Sequence, residues 1–241
     1  MPMRPRFYVE SPIDAGLATL RGAESHHLQH VMRAQIGDEV ILLDGTGREY
    51  LAQVAHLGRS DVRLTIVREE PVDRELSLRL CVGVAFPKGE RQRWLVEKMV
   101  ELGVARIVPL HTSRSVTDPH RHSPAKLQRT VIEASKQCGR NRLLEIADTM
   151  DVSEYLQSAP PDAVRWLADP SGTPALSGTG TETAAYLAVG PEGGFTPAEL
   201  AGAESAGWRI VSLGARTLRI ETACLVLAAL VAAPGRTEQS R

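Results

Sequence analysis

The residues whose types and spacing suit chemistry fall in three segments of the last third of the chain. They are Ala168-Asp169-Pro170-Ser171-Gly172, Gly190-Pro191-Glu192-Gly193-Gly194, and the longer run from Gly214 to Thr222. Each follows an apolar stretch that reads as a strand: Val164–Leu167, Tyr186–Val189 and Arg209–Leu213. In open α/β sheets ligands bind beyond the carboxyl ends of the strands, and glycine lets a ligand approach the backbone closely. One such loop alone would read as a tight turn; three in succession predict a shared small-molecule pocket. The pocket is not a phosphate loop, because GxxxxGK[ST] is missing and Glu192 would repel a polyphosphate. GxGxxG is missing as well, which removes support for a dinucleotide. Backbone donors beside the carboxylates of Asp169, Glu192 and Glu221 suit a ligand with positive charge and hydrogen-bonding edges.

The elements that must hold these loops are legible in the periodicity. Leu78–Ala85 reads as a buried strand, Arg91–Leu102 as a helix with Leu95, Met99 and Leu102 on one face, and 105–110 as a strand. Leu127, Val131, Ala134 and Cys138 form a helical stripe. Thr196-Pro197-Ala198-Glu199 combines an N-cap, a proline at the first helical position and a capping-box glutamate, so a helix starts there and stops near Gly207. A last helix is expected over Thr222–Ala233, ended by Pro234-Gly235. This alternation predicts an α/β domain with a largely parallel sheet. Before it, Val40–Leu43, the turn Asp44–Gly47, Tyr50–Val54 and Val62–Val67 carry the short spacing of a small barrel or sandwich, with a helix ahead at Glu24–Ala34. The charged stretch 68–75 reads as a linker, giving domains at 1–73 and 74–241.

The 241 residues carry 28 basic and 29 acidic side chains, a net charge of -1. That balance hides an asymmetry: residues 1–73 sum to -3, residues 74–145 to +7 and residues 146–241 to -5. The middle block is where an anionic partner such as nucleic acid would dock, unless its cations only solvate helix faces. Hydrophobic residues at 43% and charged residues at 24% are globular values and argue against a disordered chain. Three cysteines, Cys81, Cys138 and Cys224, form no CxxC pair, so neither a disulfide framework nor a zinc site is indicated and a cytoplasmic setting fits. The N-terminus lacks a signal-peptide core, and the apolar run Ala223–Ala233 is too short to span a bilayer. His26 and His30 have a metal-compatible spacing without a third ligand; Cys138, Trp94, Trp166 and Trp208 read as packing. Leu176–Ala185 reads as a surface loop and Arg236–Arg241 as a frayed tail.

Several strings together closely resemble one family. They are Glu133-Ala134-Ser135-Lys136-Gln137-Cys138-Gly139-Arg140-Asn141-Arg142, Val189-Gly190-Pro191-Glu192-Gly193-Gly194-Phe195, and Leu213 through Ala223. Lys88-Gly89-Glu90, Glu101-Leu102-Gly103-Val104 and His27-Leu28-Gln29-His30-Val31-Met32-Arg33 extend the likeness over nearly the whole chain. The chain resembles the bacterial ribosomal RNA small-subunit methyltransferase E family, enzymes that methylate N3 of a uridine in 16S rRNA with S-adenosylmethionine. The resemblance implies a PUA-like RNA-binding β-barrel followed by a SPOUT methyltransferase domain, an α/β parallel sheet with a trefoil knot near its C-terminus. It also implies a homodimer, with Leu225, Val226, Leu227 and Leu230 of the last helix serving either the interface or the core.

By the same resemblance the cofactor rests on Leu167, Pro170, Gly190, Pro191, Gly193, Gly194, Leu213, Gly214 and Leu218, with Glu192, Arg216 and Thr222 adding polar contacts. No metal is required. Uracil N3 bears a proton, so transfer asks for a base or for a cation that stabilises negative charge on the carbonyl oxygens; Glu221 and Arg219 are the candidates, unless they only pair with each other. RNA contacts are expected from Lys88, Arg91, Arg114, Lys136, Arg140 and Arg142, on an unstacked nucleotide of the small ribosomal subunit. Two alternatives remain open at this point: a SPOUT enzyme acting on another base or a ribose 2′-OH, and a non-catalytic RNA-binding assembly factor.

Overall fold

Alternation of apolar and polar residues along Val62-Arg63-Leu64-Thr65 buries Val62 and Leu64 and exposes Arg63 and Thr65, the signature of a sheet with one wet face. The computed structural model describes residues 4–10, 13, 16–115, 124–175 and 182–233. Its contacts divide into two units, 1–75 with 132–143, and 76–131 with 144–241.

In the first unit β1 (Arg6–Tyr8), β2 (Leu17–Arg21), β3 (Glu39–Leu43), β4 (Glu49–Leu57) and β5 (Asp61–Glu70) form a curled sheet in the order β1-β3-β4-β5-β2. Only the β1–β3 pair is parallel. Phe7, Leu20, Leu28, Leu42, Val54 and Leu64 fill its core. The β3–β4 turn is closed by Asp44, whose Oδ1 accepts from the Thr46 amide at 3.0 Å and its hydroxyl at 2.7 Å. The expected helix at Glu24–Ala34 is instead α1 (Gly22–His26) widening into a π-helical turn at His27–Val31. The expected linker is shorter too. Arg68, Glu69 and Glu70 extend β5, because the edge of β4 needs partners and takes them: Glu49, Tyr50 and Leu51 pair with Glu70, Glu69 and Arg68.

In the second unit β6 (Arg79–Val84), β7 (Arg106–His111), β8 (Glu145–Ile146), β10 (Val164–Pro174), β11 (Ala184–Val189) and β12 (Arg209–Ser212) make a parallel sheet ordered β12-β10-β11-β6-β7-β8, and β9 (Met150–Asp151) also pairs with β7. Helices α2 (Glu90–Glu101), α4 (Val152–Ser158), α5 (Pro197–Ser205) and α6 (Ile220–Ala232) belong to this unit, and α3 (Pro124–Cys138) runs through the boundary of the two. The expected α/β class with a small β domain ahead of it is therefore present. Thr196 caps α5 as anticipated: its hydroxyl accepts from the Glu199 amide, and the Glu199 carboxylate accepts from the Thr196 amide at 2.6 Å.

Packing here is close. Tyr155 is fully buried, its hydroxyl donates to the Leu187 carbonyl at 3.0 Å, and its ring lies where a Cβ on Gly83 of β6 would come within 2.4 Å. Burial pushes the Tyr155 phenol well above its ordinary pKa. Trp166 and Trp208 are buried as expected, but Trp94 is 41% exposed and is not a packing residue. Ala184 and Ala185, expected in a surface loop, open β11 instead; Leu176–Gly180 and Thr181, like the tail at 236–241, lie outside the described residues.

Candidate active site

The three segments do converge. After β12, at the edge of the sheet, the chain runs back past the carboxyl ends of β10 and β11 to begin α6, which packs on β6 and β11. This return is the region the resemblance assigns to a knot. Between the segments lies a cavity of about 670 Å³, open to solvent. Ala168, Asp169 and Pro170 form one wall, Val189 to Glu192 with Gly194 and Phe195 another, Leu213, Gly214 and Arg216 to Leu218 the third, and Ile220 and Ala223 of α6 complete it.

Each wall has a local cause. The first is not the loop the sequence suggested but a bulge inside β10. Ala168 and Thr173 both face Val211 of β12, so residues 169–172 are expelled from the ladder. Asp169 Oδ1 ties the bulge by accepting from the Ser171 amide at 2.9 Å and hydroxyl at 2.6 Å, and Gly172 lies so near β12 that a Cβ would sit 2.6 Å from the Ile210 and Val211 backbone. In the second wall Gly190 carries no side chain because the Phe195 ring would be 3.0 Å from its Cβ. Arg114 holds the same turn from outside, donating to the carbonyls of Gly193 at 2.8 Å and Phe195 at 3.3 Å. The third wall ends two residues early, because α6 starts at Ile220 rather than Thr222.

Of the expected cofactor residues, Pro170, Gly190, Pro191, Glu192, Gly194, Leu213, Gly214, Arg216 and Leu218 line the cavity. Leu167, Gly193 and Thr222 do not: Leu167 is fully buried in β10, Gly193 faces Arg114, and Thr222 is exposed on α6. Sequence reasoning left out Val189, Phe195, Ile220 and Ala223, apolar residues that only the helix register and the turn geometry bring to the cavity. Of the three carboxylates read as suiting a positively charged ligand, Asp169 and Glu192 line the cavity and Glu221 does not.

Arg219 and Glu221 separate. Arg219 is exposed at the N-cap of α6, between two cavity residues, while Glu221 is 6% exposed, does not line the cavity and forms no salt bridge with Arg219. One Glu221 oxygen is buried without a hydrogen-bond partner among the described residues, a placement eased by the positive end of α6. Burial, with the Glu221 charge adding to it, holds the Cys224 thiol far above its ordinary pKa, which makes it an inert core group.

The sequence pattern of the RNA methyltransferase domain matches residues 74–232, and that of the RNA methyltransferase PUA domain matches residues 20–67. A Synechocystis protein named ribosomal RNA small subunit methyltransferase E is 33% identical over 219 residues, covering 88% of this chain and 72% of that protein. The chain belongs to the ribosomal RNA small subunit methyltransferase E family. Among solved structures of similar proteins is the family member from Neisseria gonorrhoeae bound to S-adenosylmethionine, 29% identical with a TM-score of 0.85 over 94% of this chain and 95% of that one. A probable rRNA-methyltransferase from Porphyromonas gingivalis is 30% identical with a TM-score of 0.83, over 93% and 95% of the two chains.

The cations expected to meet RNA have divided roles in this family member. Lys88, Arg91 and Arg142 are exposed, with Arg91 3.8 Å from Glu192. Arg114 is exposed but spends donors on the cavity turn. Lys136 and Arg140, also expected to meet RNA, are buried in ion pairs. Arg140 is 3% exposed and bidentate to Glu75 at 2.7 and 2.6 Å, and Lys136 is 9% exposed between Glu24 at 2.7 Å and Glu133 at 2.9 Å. Burial opposes the Lys136 charge, yet the two carboxylates outweigh it and raise its pKa. Around them Arg74 donates to Glu49 at 2.8 Å and to the Gly139 carbonyl at 2.9 Å, Arg6 pairs with the same carboxylate, and Asn141 donates to the Val72 carbonyl at 2.9 Å. Residues 136–141 are thereby clasped to the N-terminal sheet. Among the described residues no group of three His, Cys, Asp or Glu could hold a metal, and the His26 and His30 rings lie 4.7 Å apart.

Proposed function

We propose that this chain transfers the methyl group of S-adenosylmethionine to N3 of a uridine in 16S rRNA of the small ribosomal subunit. The observation that carries the reading is the cavity at the carboxyl ends of β10, β11 and β12 in a chain of this family. The cavity opens to solvent at the carboxyl ends of the strands, so a small ligand can enter it from outside. Its chemistry fits the donor as well. Val189, Phe195, Leu213, Leu218 and Ile220 offer apolar surface to an adenosine, bare backbone at Gly190 and Gly194 gives hydrogen-bonding edges, and Asp169 and Glu192 supply negative charge for a cationic ligand.

When bound, the donor supplies an activated methyl on a sulfonium. The protein's work is alignment and exclusion of water. Gly190 to Phe195, braced by Arg114, and Leu213 to Leu218 hold the donor in one orientation. The N3 proton leaves to solvent, and Arg219 stabilises the negative charge that its loss places on the uracil carbonyl oxygens, so that the deprotonated nitrogen takes the methyl. Glu221, buried and off the cavity, is a structural carboxylate in this reading. The first unit, with its PUA-type pattern, and the exposed cations Lys88, Arg91 and Arg142 bind rRNA in a cytoplasmic, homodimeric enzyme.

Incubation of the purified chain with small ribosomal subunits lacking the modification and with S-adenosylmethionine carrying a labelled methyl is expected to yield N3-methyluridine. Label on a ribose 2′-OH or on another base would overturn the assignment of the acceptor. A folded chain that neither binds the donor nor transfers label would favour an RNA-binding assembly factor.

A further inference from the structure

The cavity has two carboxylates, and they are not equivalent. Glu192 is 3.8 Å from Arg91. Asp169 has no ion-pair partner among the described residues, and its two oxygens do different things. Oδ1 is fixed by the Ser171 amide and hydroxyl. Oδ2 is left as an open acceptor, 3.9 Å from where a Cβ on Gly194 would stand, on the opposite wall of the cavity. A carboxylate anchored at one oxygen and unpaired at the other, among apolar neighbours, is built to receive a cation with N–H donors.

Resting on the methyl-donor reading above, we infer that Asp169 binds the α-ammonium of the donor's methionyl part. The donor has a second cationic centre, the sulfonium, and two physical arguments exclude it. A sulfonium offers no N–H to the open Oδ2, whereas an ammonium offers three donors. The sulfonium charge also dissipates as the methyl leaves, so a carboxylate against it would stabilise the ground state more than the transition state and slow the reaction. A carboxylate on the ammonium, whose charge is the same before and after transfer, contributes equally at every stage. The expulsion of residues 169–172 from β10 is what delivers this side chain: in an unbroken ladder Asp169 would pair with β12.

The test is calorimetry on the full chain and on Asp169→Asn, which keeps the Oδ1 acceptor for Ser171. Three probes are titrated: S-adenosylmethionine, with both cations; S-adenosylhomocysteine, with the ammonium alone; and 5′-methylthioadenosine, with neither. The expected result is that the substitution weakens the first two in parallel, about tenfold or more, and leaves the third unchanged. In turnover the variant should show a raised KM for the donor with kcat retained. Weakening confined to S-adenosylmethionine, equal weakening of all three, or no change would each overturn the inference while leaving the proposed function standing. An unmodified chain that binds none of the probes would overturn both.

Discussion

At the scale of single residues, identical chemical types carry opposite duties according to burial. Arg140 and Arg142 are two positions apart, yet the first is sealed in a bidentate pair and the second is exposed. Removing one partner of a buried pair leaves an uncompensated charge, so Arg140→Ala should cost about 3 kcal/mol in denaturant unfolding. The folded variant should keep its affinity for rRNA. Arg142→Ala should do the reverse, leaving stability within about 0.5 kcal/mol and reducing the salt dependence of RNA binding by about one phosphate contact. Arg219→Ala should lower the methyl-transfer rate about a hundredfold without weakening donor binding, read by comparing single-turnover rates with calorimetry. The charge segmentation of the sequence pointed to a basic middle block, and that held as arithmetic. It could not say which cations were free, because a carboxylate partner such as Glu75 or Glu24 lies 65 or 112 positions away.

At the scale of elements, two local devices stand out, the β10 bulge and the start of α5. Gly172 sits against the backbone of β12 with no room for a Cβ, so Gly172→Ala should push the bulge off β12 and abolish donor binding. Calorimetry on the folded variant checks this. The start of α5 is the other device: Glu199 accepts from the amides of Ser113 at 2.9 Å and Thr196 at 2.6 Å. Burial raises its pKa, but those backbone donors outweigh it and the net shift is downward. A lowered pKa in the folded state adds stability above the unfolded carboxyl value, near 4.3, that is lost as pH falls through the folded value. Glu199→Gln should therefore flatten the acid limb of the stability curve below about pH 5, measured by thermal unfolding at stepped pH. The capping box was readable because its residues are local, Thr196 and Glu199 in one turn. The β10 bulge was not, since nothing in Asp169-Pro170-Ser171-Gly172 distinguishes a strand-end loop from a bulge until β12 supplies the second side of the ladder. For the same reason β5 ran on through a stretch whose charges read as a linker.

At the scale of the whole molecule, the alternation of strands and helices gave the α/β class, and the family strings gave the segments that carry the cavity. Convergence itself is a property of the topology. β10, β11 and β12 come from separate stretches of chain, and only their adjacency in a parallel sheet puts Asp169, Gly190 and Gly214 on one cavity. Short elements such as β8, β9 and α4 escaped the sequence because their few residues carry too little periodicity. The central claim is that this cavity is the methyl-donor site. A crystal structure of the chain grown with S-adenosylhomocysteine tests it most directly. The account predicts the ligand seated between Ala168–Pro170, Gly190–Phe195 and Leu213–Leu218, with its ammonium at Asp169. Ligand bound elsewhere on the chain, with these three segments untouched, would contradict it.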